Sequence, residues 1–167
     1  MATLMGCSSS DDEEELVLPE IANQFETDVV WQESIGSGVE HYFSRLSPAV
    51  YKETVYVANR EGQVEALSLA NGDTQWETDV RQDLSFWPWS DNDSAKLSGG
   101  ILQAYGKIYL GSEHGYVIAL DRETGKEVWR KKVPGESLSK PAAGDGLIFV
   151  NLASGKLLAL HPDTGEE

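Results

Sequence analysis

The sequence repeats one unit three times, and this repeat limits what the chain can fold into more than any other feature. Each copy carries an aromatic residue and two glycines, and the copies are separated by 53 and 40 residues. The repeated positions are Tyr56, Tyr109 and Phe149, then Gly62, Gly115 and Gly155, and then Gly72, Gly125 and Gly165. A repeat of roughly 40 residues indicates an array of similar supersecondary units that stack on one another.

Each copy has the pattern of four short strands. Thr54–Ala58 and Lys107–Gly111 are rich in β-branched and aromatic residues, which favour strands. A second strand, a turn ending in glycine and a strand carrying Trp follow, and a short apolar segment precedes each copy. No segment has a convincing helical period. The sequence therefore predicts an all-β fold, a β-propeller with four-stranded antiparallel blades.

The repeat also predicts how the chain is divided. The predicted segments are an N-terminal stretch and acidic tether at 1–22 and a partial propeller at 23–167, the latter divided into a closing strand at 28–35, a blade at 46–80, an insertion at 81–98, a blade at 99–133 and a truncated blade at 138–167. About three blades cannot close a ring, which typically needs four to eight. We therefore expect a piece of a larger, eight-bladed ring, and we expect the piece alone to associate or unfold readily because its blade faces are uncovered.

Composition excludes several classes of function. The chain carries 13 Lys and Arg against 28 Asp and Glu, a formal net charge of −15. Binding to nucleic acid or to an anionic membrane surface needs clustered cations, so neither is expected. No apolar stretch approaches the roughly 20 residues that span a bilayer. With one cysteine, Cys7, the chain has no internal disulfide framework and no multi-cysteine metal site.

The surroundings of Cys7 predict a lipid anchor. The segment Leu4-Met5-Gly6-Cys7 resembles a bacterial lipobox, in which the cysteine is lipidated and palmitate is attached. The polar, acidic run Ser8–Glu15 suits a tether that holds a domain away from a membrane. Six residues precede Cys7 and form no signal peptide, so we expect the true start upstream or a trimmed chain. The alternative is an accidental cysteine in a disordered tail.

A second motif concerns the tryptophans. The segment Ala119–Trp129 matches the tryptophan-docking motif A-x-D-x-x-T-G-K-E-x-W of propellers of the quinoprotein (PQQ-repeat) family without a mismatch. The resemblance implies that each Trp packs flat against a glycine-containing turn of the neighbouring blade. The residues expected to join the blades in this way are Trp31, Trp76 and Trp129 with Gly72, Gly125 and Gly165. The alternative is that these tryptophans form a platform for a ligand.

The insertion at 81–98 is rich in aromatic residues. Phe86, Trp87 and Trp89 are candidate partner contacts, because Trp is enriched at binding hot spots. The alternative is that they fold back and cap the propeller. The acidic stretch Asp91–Asp93 lacks the glycine and the distant glutamate of a calcium loop, so no metal site is predicted.

Beyond the repeats, the chain resembles the BamB family of outer-membrane lipoproteins. The residues that carry the likeness include Asn23–Glu26, Tyr42–Ala49, Leu97–Gly100 and Gly135–Pro141, in that order. The resemblance implies a non-enzymatic scaffold, lipid-anchored on the periplasmic side of the Gram-negative outer membrane. It also implies binding to the periplasmic (POTRA) domains of BamA and assistance to unfolded outer-membrane proteins, with the BamA-gripping loops in later blades.

Two other functions remain open on these residues. A PQQ-dependent dehydrogenase is built on the same repeats, but it needs a calcium-bound cofactor site, and many such enzymes use an adjacent cysteine pair. A generic sensor or adhesion propeller would share the repeats but not the N-terminal segment. No nucleophile, nucleotide-binding or metalloprotease motif appears. We therefore expect no catalytic residues and no cofactor.

Overall fold

The computed structural model describes residues 26–38, 41–42, 44–81 and 94–167. Every regular element in these ranges is a β-strand. The strands are β1 (Ala49–Tyr51), β2 (Thr54–Ala58), β3 (Gln63–Ser68), β4 (Thr74–Asp79), β5 (Leu97–Ala104), β6 (Lys107–Ser112), β7 (Tyr116–Asp121), β8 (Glu127–Lys132), β9 (Ala142–Gly144), β10 (Leu147–Asn151) and β11 (Leu157–Leu160).

These strands form three antiparallel sheets, in each of which neighbours in sequence are neighbours in space. Blade 1 consists of β1–β4, blade 2 of β5–β8 and blade 3 of β9–β11. The predicted all-β fold with four-stranded antiparallel blades is confirmed by blades 1 and 2. Blade 3 has three strands among the described residues.

Blades 1 and 2 share an irregularity as well as a topology. Trp76 on β4 lies opposite Ala66, and Trp129 on β8 lies opposite Ala119. In both blades the register shifts directly after that alanine. A β-bulge changes the direction of the side chains beside it and increases the local twist. Both tryptophans therefore have the same position beside a bulge, on the edge strands β4 and β8 of their sheets.

Two apolar cores join the blades, one on each face of blade 2. The first contains Tyr56, Val64 and Ala66 of blade 1 with Ile108, Leu110, Ile118 and Leu120 of blade 2. The second contains Tyr109, Val117 and Ala119 of blade 2 with Ile148, Val150 and Leu160 of blade 3. Strands β6 and β7 contribute to both cores because successive side chains of a strand point to opposite faces. Each large apolar side chain buried in this way contributes about 1.5–3 kcal/mol.

The structure differs from the predicted segments at one boundary. Residues 28–35 have no described strand alongside them, so their role as a closing strand stays a prediction. Strand β5 begins at Leu97, so the last two residues of the predicted insertion at 81–98 belong to blade 2. In this strand, Leu97 and Ser98 pair with Ser112 and Gly111 of β6.

Candidate functional site

The turn that follows the third strand of each blade contains the repeated glycine. Gly72, Gly125 and Gly165 have φ values of +79°, +71° and +72°. The N–H of each donates to the carbonyl oxygen four residues earlier, with an N···O distance of 2.9 Å in all three turns. This left-handed conformation favours glycine, because a side chain would strain it.

The turn of blade 2 is further fixed by Asp121. Its Oδ1 accepts hydrogen bonds from the N–H and the hydroxyl of Thr124, at 2.9 and 2.7 Å. The hydroxyl bond is the main reason that the pKa of Asp121 lies below its usual value. These are the Asp and Thr of the docking motif, so their side chains serve the shape of the turn.

Each of these glycines faces a tryptophan from the preceding part of the chain. The facing pairs are Trp31 with Gly72, Trp76 with Gly125, and Trp129 with Gly165. A Cβ added at the glycine would lie 2.9, 2.5 and 2.8 Å, respectively, from Cε3 of the facing indole. No real Cβ approaches so closely, so the indole occupies space that only glycine leaves free.

The indole N–H groups are satisfied at the same turns. Trp31 Nε1 donates to the carbonyl oxygen of Leu69 at 2.9 Å, Trp76 Nε1 to that of Arg122 at 3.0 Å, and Trp129 Nε1 to that of Pro162 at 2.9 Å. The three acceptors are separated by 53 and 40 residues, as the glycines are. Each tryptophan thus covers a glycine with its ring and uses its single donor on the adjacent backbone.

A tyrosine lies behind each of the two tryptophans on β4 and β8. The ring centroids of Tyr56 and Trp76 are 6.0 Å apart, and those of Tyr109 and Trp129 are 5.9 Å apart. The Tyr109 hydroxyl donates to the Pro162 carbonyl at 3.1 Å, the same acceptor that Trp129 uses. Burial raises the pKa of Tyr109, so its hydroxyl keeps the proton that this bond requires.

At the strand ends away from the glycine turns, backbone hydrogen bonds join each blade to the segment that leads into a blade. The N–H groups of Arg60, Glu113 and Ala153 donate to the carbonyl oxygens of Gly38, Lys96 and Glu136 at 3.1, 2.9 and 2.9 Å. The donors lie in the loops between the second and third strands of the blades, and the acceptors lie in the segments that lead into each blade. These loops and segments form what we call the loop face.

One ion pair crosses from blade 1 to blade 2 on the loop face. Arg60 Nη2 lies 2.6 Å from Glu113 Oε2, and the Arg60 side chain is only 11% exposed. The guanidinium also lies over the ring of Tyr42, 3.9 Å from its centroid. A desolvated guanidinium gains more from an aromatic face than an exposed one does. Arg60 therefore joins two blades and the segment that precedes them.

The loop face also contains a cleft of about 460 Å³. Its lining includes Arg45, Glu113, Glu136, Leu138, Ser139 and Asn151. Side chains of both charges, an amide and an exposed leucine can contact a polypeptide, but they do not form a set that is typical of a reaction centre.

Among the described residues, no group of three or more His, Cys, Asp or Glu side chains is arranged to hold a metal ion. In the same part of the chain, no helix is long and apolar enough to cross a membrane.

The structure brings the six predicted docking residues together in three tryptophan–glycine pairs; that these contacts fasten the blades remains a prediction. Cys7 and the aromatic residues Phe86, Trp87 and Trp89 lie outside the described residues. Sequence reasoning missed the carbonyl acceptors of the indoles, although their spacing follows the repeat. It also missed Arg60 and Glu113, because they are unlike in type and the repeat gives no signal for their pairing.

Comparison with known sequences identifies the family. The model of the family described as outer membrane protein assembly factor BamB matches residues 21–86 and 85–167. The chain is 39% identical to the BamB of Yersinia pestis over 169 residues, which cover 99% of this chain and 42% of that protein. It is 44% identical to the BamB of Alteromonas naphthalenivorans, over 89% of this chain and 39% of that protein. The chain thus spans about two fifths of the length of these relatives.

Comparison with solved structures gives the fold. The structure superimposes on BamB from Moraxella catarrhalis with a TM-score of 0.63 and 20% identity, covering 82% of this chain and 38% of that one. It superimposes on a quinohemoprotein alcohol dehydrogenase from Pseudomonas putida with a TM-score of 0.62 and 21% identity, covering 84% and 22% of the two chains. Both likenesses show the propeller fold, of which this chain forms a part. The sequence match over residues 21–167 distinguishes between the two, and the chain belongs to the BamB family of outer-membrane protein assembly factors.

Proposed function

We propose that this chain is part of a non-enzymatic scaffold lipoprotein of the outer-membrane β-barrel assembly machinery. Its partners are the periplasmic (POTRA) domains of BamA, and it aids the insertion of unfolded outer-membrane proteins. The lipidated Cys7 anchors it to the periplasmic face of the outer membrane. The observation that carries the proposal is the family match, which includes the segments between blades as well as the repeats.

The geometry supports a scaffold because its polar groups are used to fix blades against one another. The indole donors of Trp76 and Trp129 and the hydroxyl of Tyr109 all end on backbone carbonyls of the next blade. The Arg60 guanidinium is engaged by Glu113 and Tyr42. Groups held in this way give a rigid frame, which is what a protein that positions partners requires.

A chimera tests the function without assuming where the partner surface lies. Residues 1–167 replace the matching two fifths of Yersinia pestis BamB, behind that protein's own signal peptide. We expect the purified chimera to be retained on immobilised BamA periplasmic domains. We also expect it to restore the levels of β-barrel proteins in the outer membrane of cells that lack BamB.

The matched control carries the corresponding blades of the quinohemoprotein alcohol dehydrogenase, which share the fold but not the family sequence. Both chimeras are first shown to unfold cooperatively, so that a loss of binding is not a loss of folding. A folded chimera that carries residues 1–167 and neither binds BamA nor restores assembly contradicts the proposal. A chromophore that co-purifies after addition of PQQ and Ca²⁺ would support the dehydrogenase instead.

A further inference from the structure

The glycine turn of blade 1 differs from the other two in the residue before its glycine. That residue is Asn71, whereas Thr124 and Thr164 stand there in blades 2 and 3. In an Asn-Gly pair the glycine nitrogen can attack the Cγ of the asparagine side chain, because glycine has no Cβ to hinder the approach. The turn that contacts Trp31 therefore carries a chemistry that threonine excludes from the other two turns.

The folded turn keeps the two reacting groups from each other. The Gly72 N–H donates to the Ser68 carbonyl oxygen at 2.9 Å, and Gly72 is buried beneath Trp31. The Asn71 Oδ1 accepts a hydrogen bond from the Asp73 N–H at 3.3 Å, and the Asn71 Nδ2 donates to the Asp73 carboxylate. The glycine nitrogen must lose its proton before it attacks, and here that proton is bonded and shielded from water.

We propose that Asn71 is a deamidation site and that the contact with Trp31 controls its reaction. When Trp31 leaves the turn, water reaches the Gly72 nitrogen, which gives up its proton and forms a bond to the Asn71 Cγ. The bond from Cγ to Nδ2 breaks, and the side-chain nitrogen takes up a proton and leaves as ammonia. Water then opens the resulting succinimide at either carbonyl, which leaves aspartate or isoaspartate at position 71.

Either product weakens the contact that protected Asn71. The group that donated to Asp73 becomes a carboxylate, so two like charges face each other in the turn. Isoaspartate also lengthens the main chain by one atom, and Gly72 has no room to shift. A Cβ on Gly72 would already lie 2.9 Å from Trp31 Cε3 and 3.1 Å from Glu33 Cγ. Since neither product returns to asparagine, the reaction makes an opening of this turn irreversible.

Peptide mapping by mass spectrometry measures the reaction at mildly alkaline pH, below the Tm of the chain. Enzymatic methylation identifies isoaspartate at position 71. We expect a synthetic peptide of residues 64–80 to deamidate fastest, because it has no folded turn, and the parent chain to deamidate slowest. Trp31→Ala should deamidate at least about fivefold faster than the parent, because the closed turn loses an indole hydrogen bond and the ring contact.

Trp129→Ala is the matched control for Trp31→Ala. It removes the same kind of contact at Gly165 and leaves the turn at Asn71 unchanged, so its deamidation rate should equal that of the parent. Circular dichroism first establishes that both variants are folded at the assay temperature.

The effect of the product is measured separately in Asn71→Asp, which carries one of the two products from the start. We expect its Trp31 indole proton to exchange in D₂O at least about threefold faster than in the parent, because the turn loses a hydrogen bond. Asn71→Thr, with the residue type of the other two turns, should exchange like the parent and should not deamidate.

Three results would overturn the proposal. They are a parent chain that deamidates as fast as the peptide, a Trp31→Ala variant that deamidates no faster than Trp129→Ala, and an unchanged Trp31 exchange rate in Asn71→Asp. None of these measurements involves BamA, so this proposal and the proposed function fail separately.

Discussion

Replacing Gly125 with alanine tests whether the tryptophan–glycine contact joins blades 1 and 2. The added Cβ would lie 2.5 Å from Cε3 of Trp76 and 2.6 Å from Oγ1 of Thr78. Neither side chain can move aside freely, because the Trp76 indole N–H donates to the Arg122 carbonyl and the Thr78 hydroxyl donates to the Gly125 carbonyl. The indole must therefore move away from the turn.

Three terms set the expected loss of unfolding free energy. A side chain at φ +71° costs about 1–2 kcal/mol. Overpacking against the ring adds about 1–3 kcal/mol. Weakening the bond from the indole to Arg122 adds about 0.5–1.5 kcal/mol. We expect a total of about 3–6 kcal/mol, and at about 2–4 °C per kcal/mol for a chain of this size, a fall in Tm of about 6–24 °C.

Gly106 provides the matched control. Its φ of +73° is nearly that of Gly125, but a Cβ there meets nothing within 4 Å. Gly106→Ala should therefore lose only the conformational part, about 1–2 kcal/mol. Urea unfolding followed by far-UV circular dichroism measures both variants, with Trp fluorescence as an independent probe. If the two alanine variants lose the same stability, the contact with Trp76 contributes nothing and the docking interpretation is refuted.

Three further variants test other parts of the structure. Burial and the nearby Glu77 raise the pKa of Glu65 in the folded protein. The folded protein therefore binds a proton at Glu65 more tightly than the unfolded chain does, and it loses stability as the pH rises and this carboxyl ionises. Glu65→Gln should raise the Tm at pH 7 but not below pH 4, as measured in thermal melts across that range. Arg60→Met leaves Glu113 without its cation and should lower the free energy of unfolding in urea by about 1–2 kcal/mol. Glu113→Gln should lower it by less. An Arg60→Met variant as stable as the parent would count against the ion pair between the blades. Behind a lipoprotein signal peptide, Cys7 should take up radiolabelled palmitate and direct the chain to the membrane fraction, whereas labelling of Cys7→Ser would exclude this anchor.

The parts of the fold that were predictable are those that the chain repeats. Gly125 and Trp129 could be assigned to a turn and an outer strand because the same residue types recur at fixed intervals and each unit uses them locally. The indole acceptors Leu69, Arg122 and Pro162 follow the same intervals, but the bonds use backbone carbonyls, which carry no residue-type signal.

Features that depend on a partner from elsewhere in the chain were not predictable. The partner strand of residues 28–35 carries no local signal: the segment has the pattern of a strand, none of the described strands lies beside it, and its role as a closing strand stays a prediction. The pairing of Arg60 with Glu113 joins residues 53 positions apart that are unlike in type and have no counterpart in blade 3. Local propensity and spacing carry no information about such contacts.

Hydrogen exchange of the indole N–H groups tests most directly whether Trp76 and Trp129 fasten neighbouring blades through these donors. The resonances are assigned with Trp76→Phe and Trp129→Phe variants and followed by NMR in D₂O. We predict that both indole protons exchange nearly as slowly as the backbone amides in the middle of β7, because the blades share apolar cores and separate only when the sheets themselves unfold. Exchange at the rate of a free indole, while those amides stay protected, would show that the tryptophans do not hold the blades together.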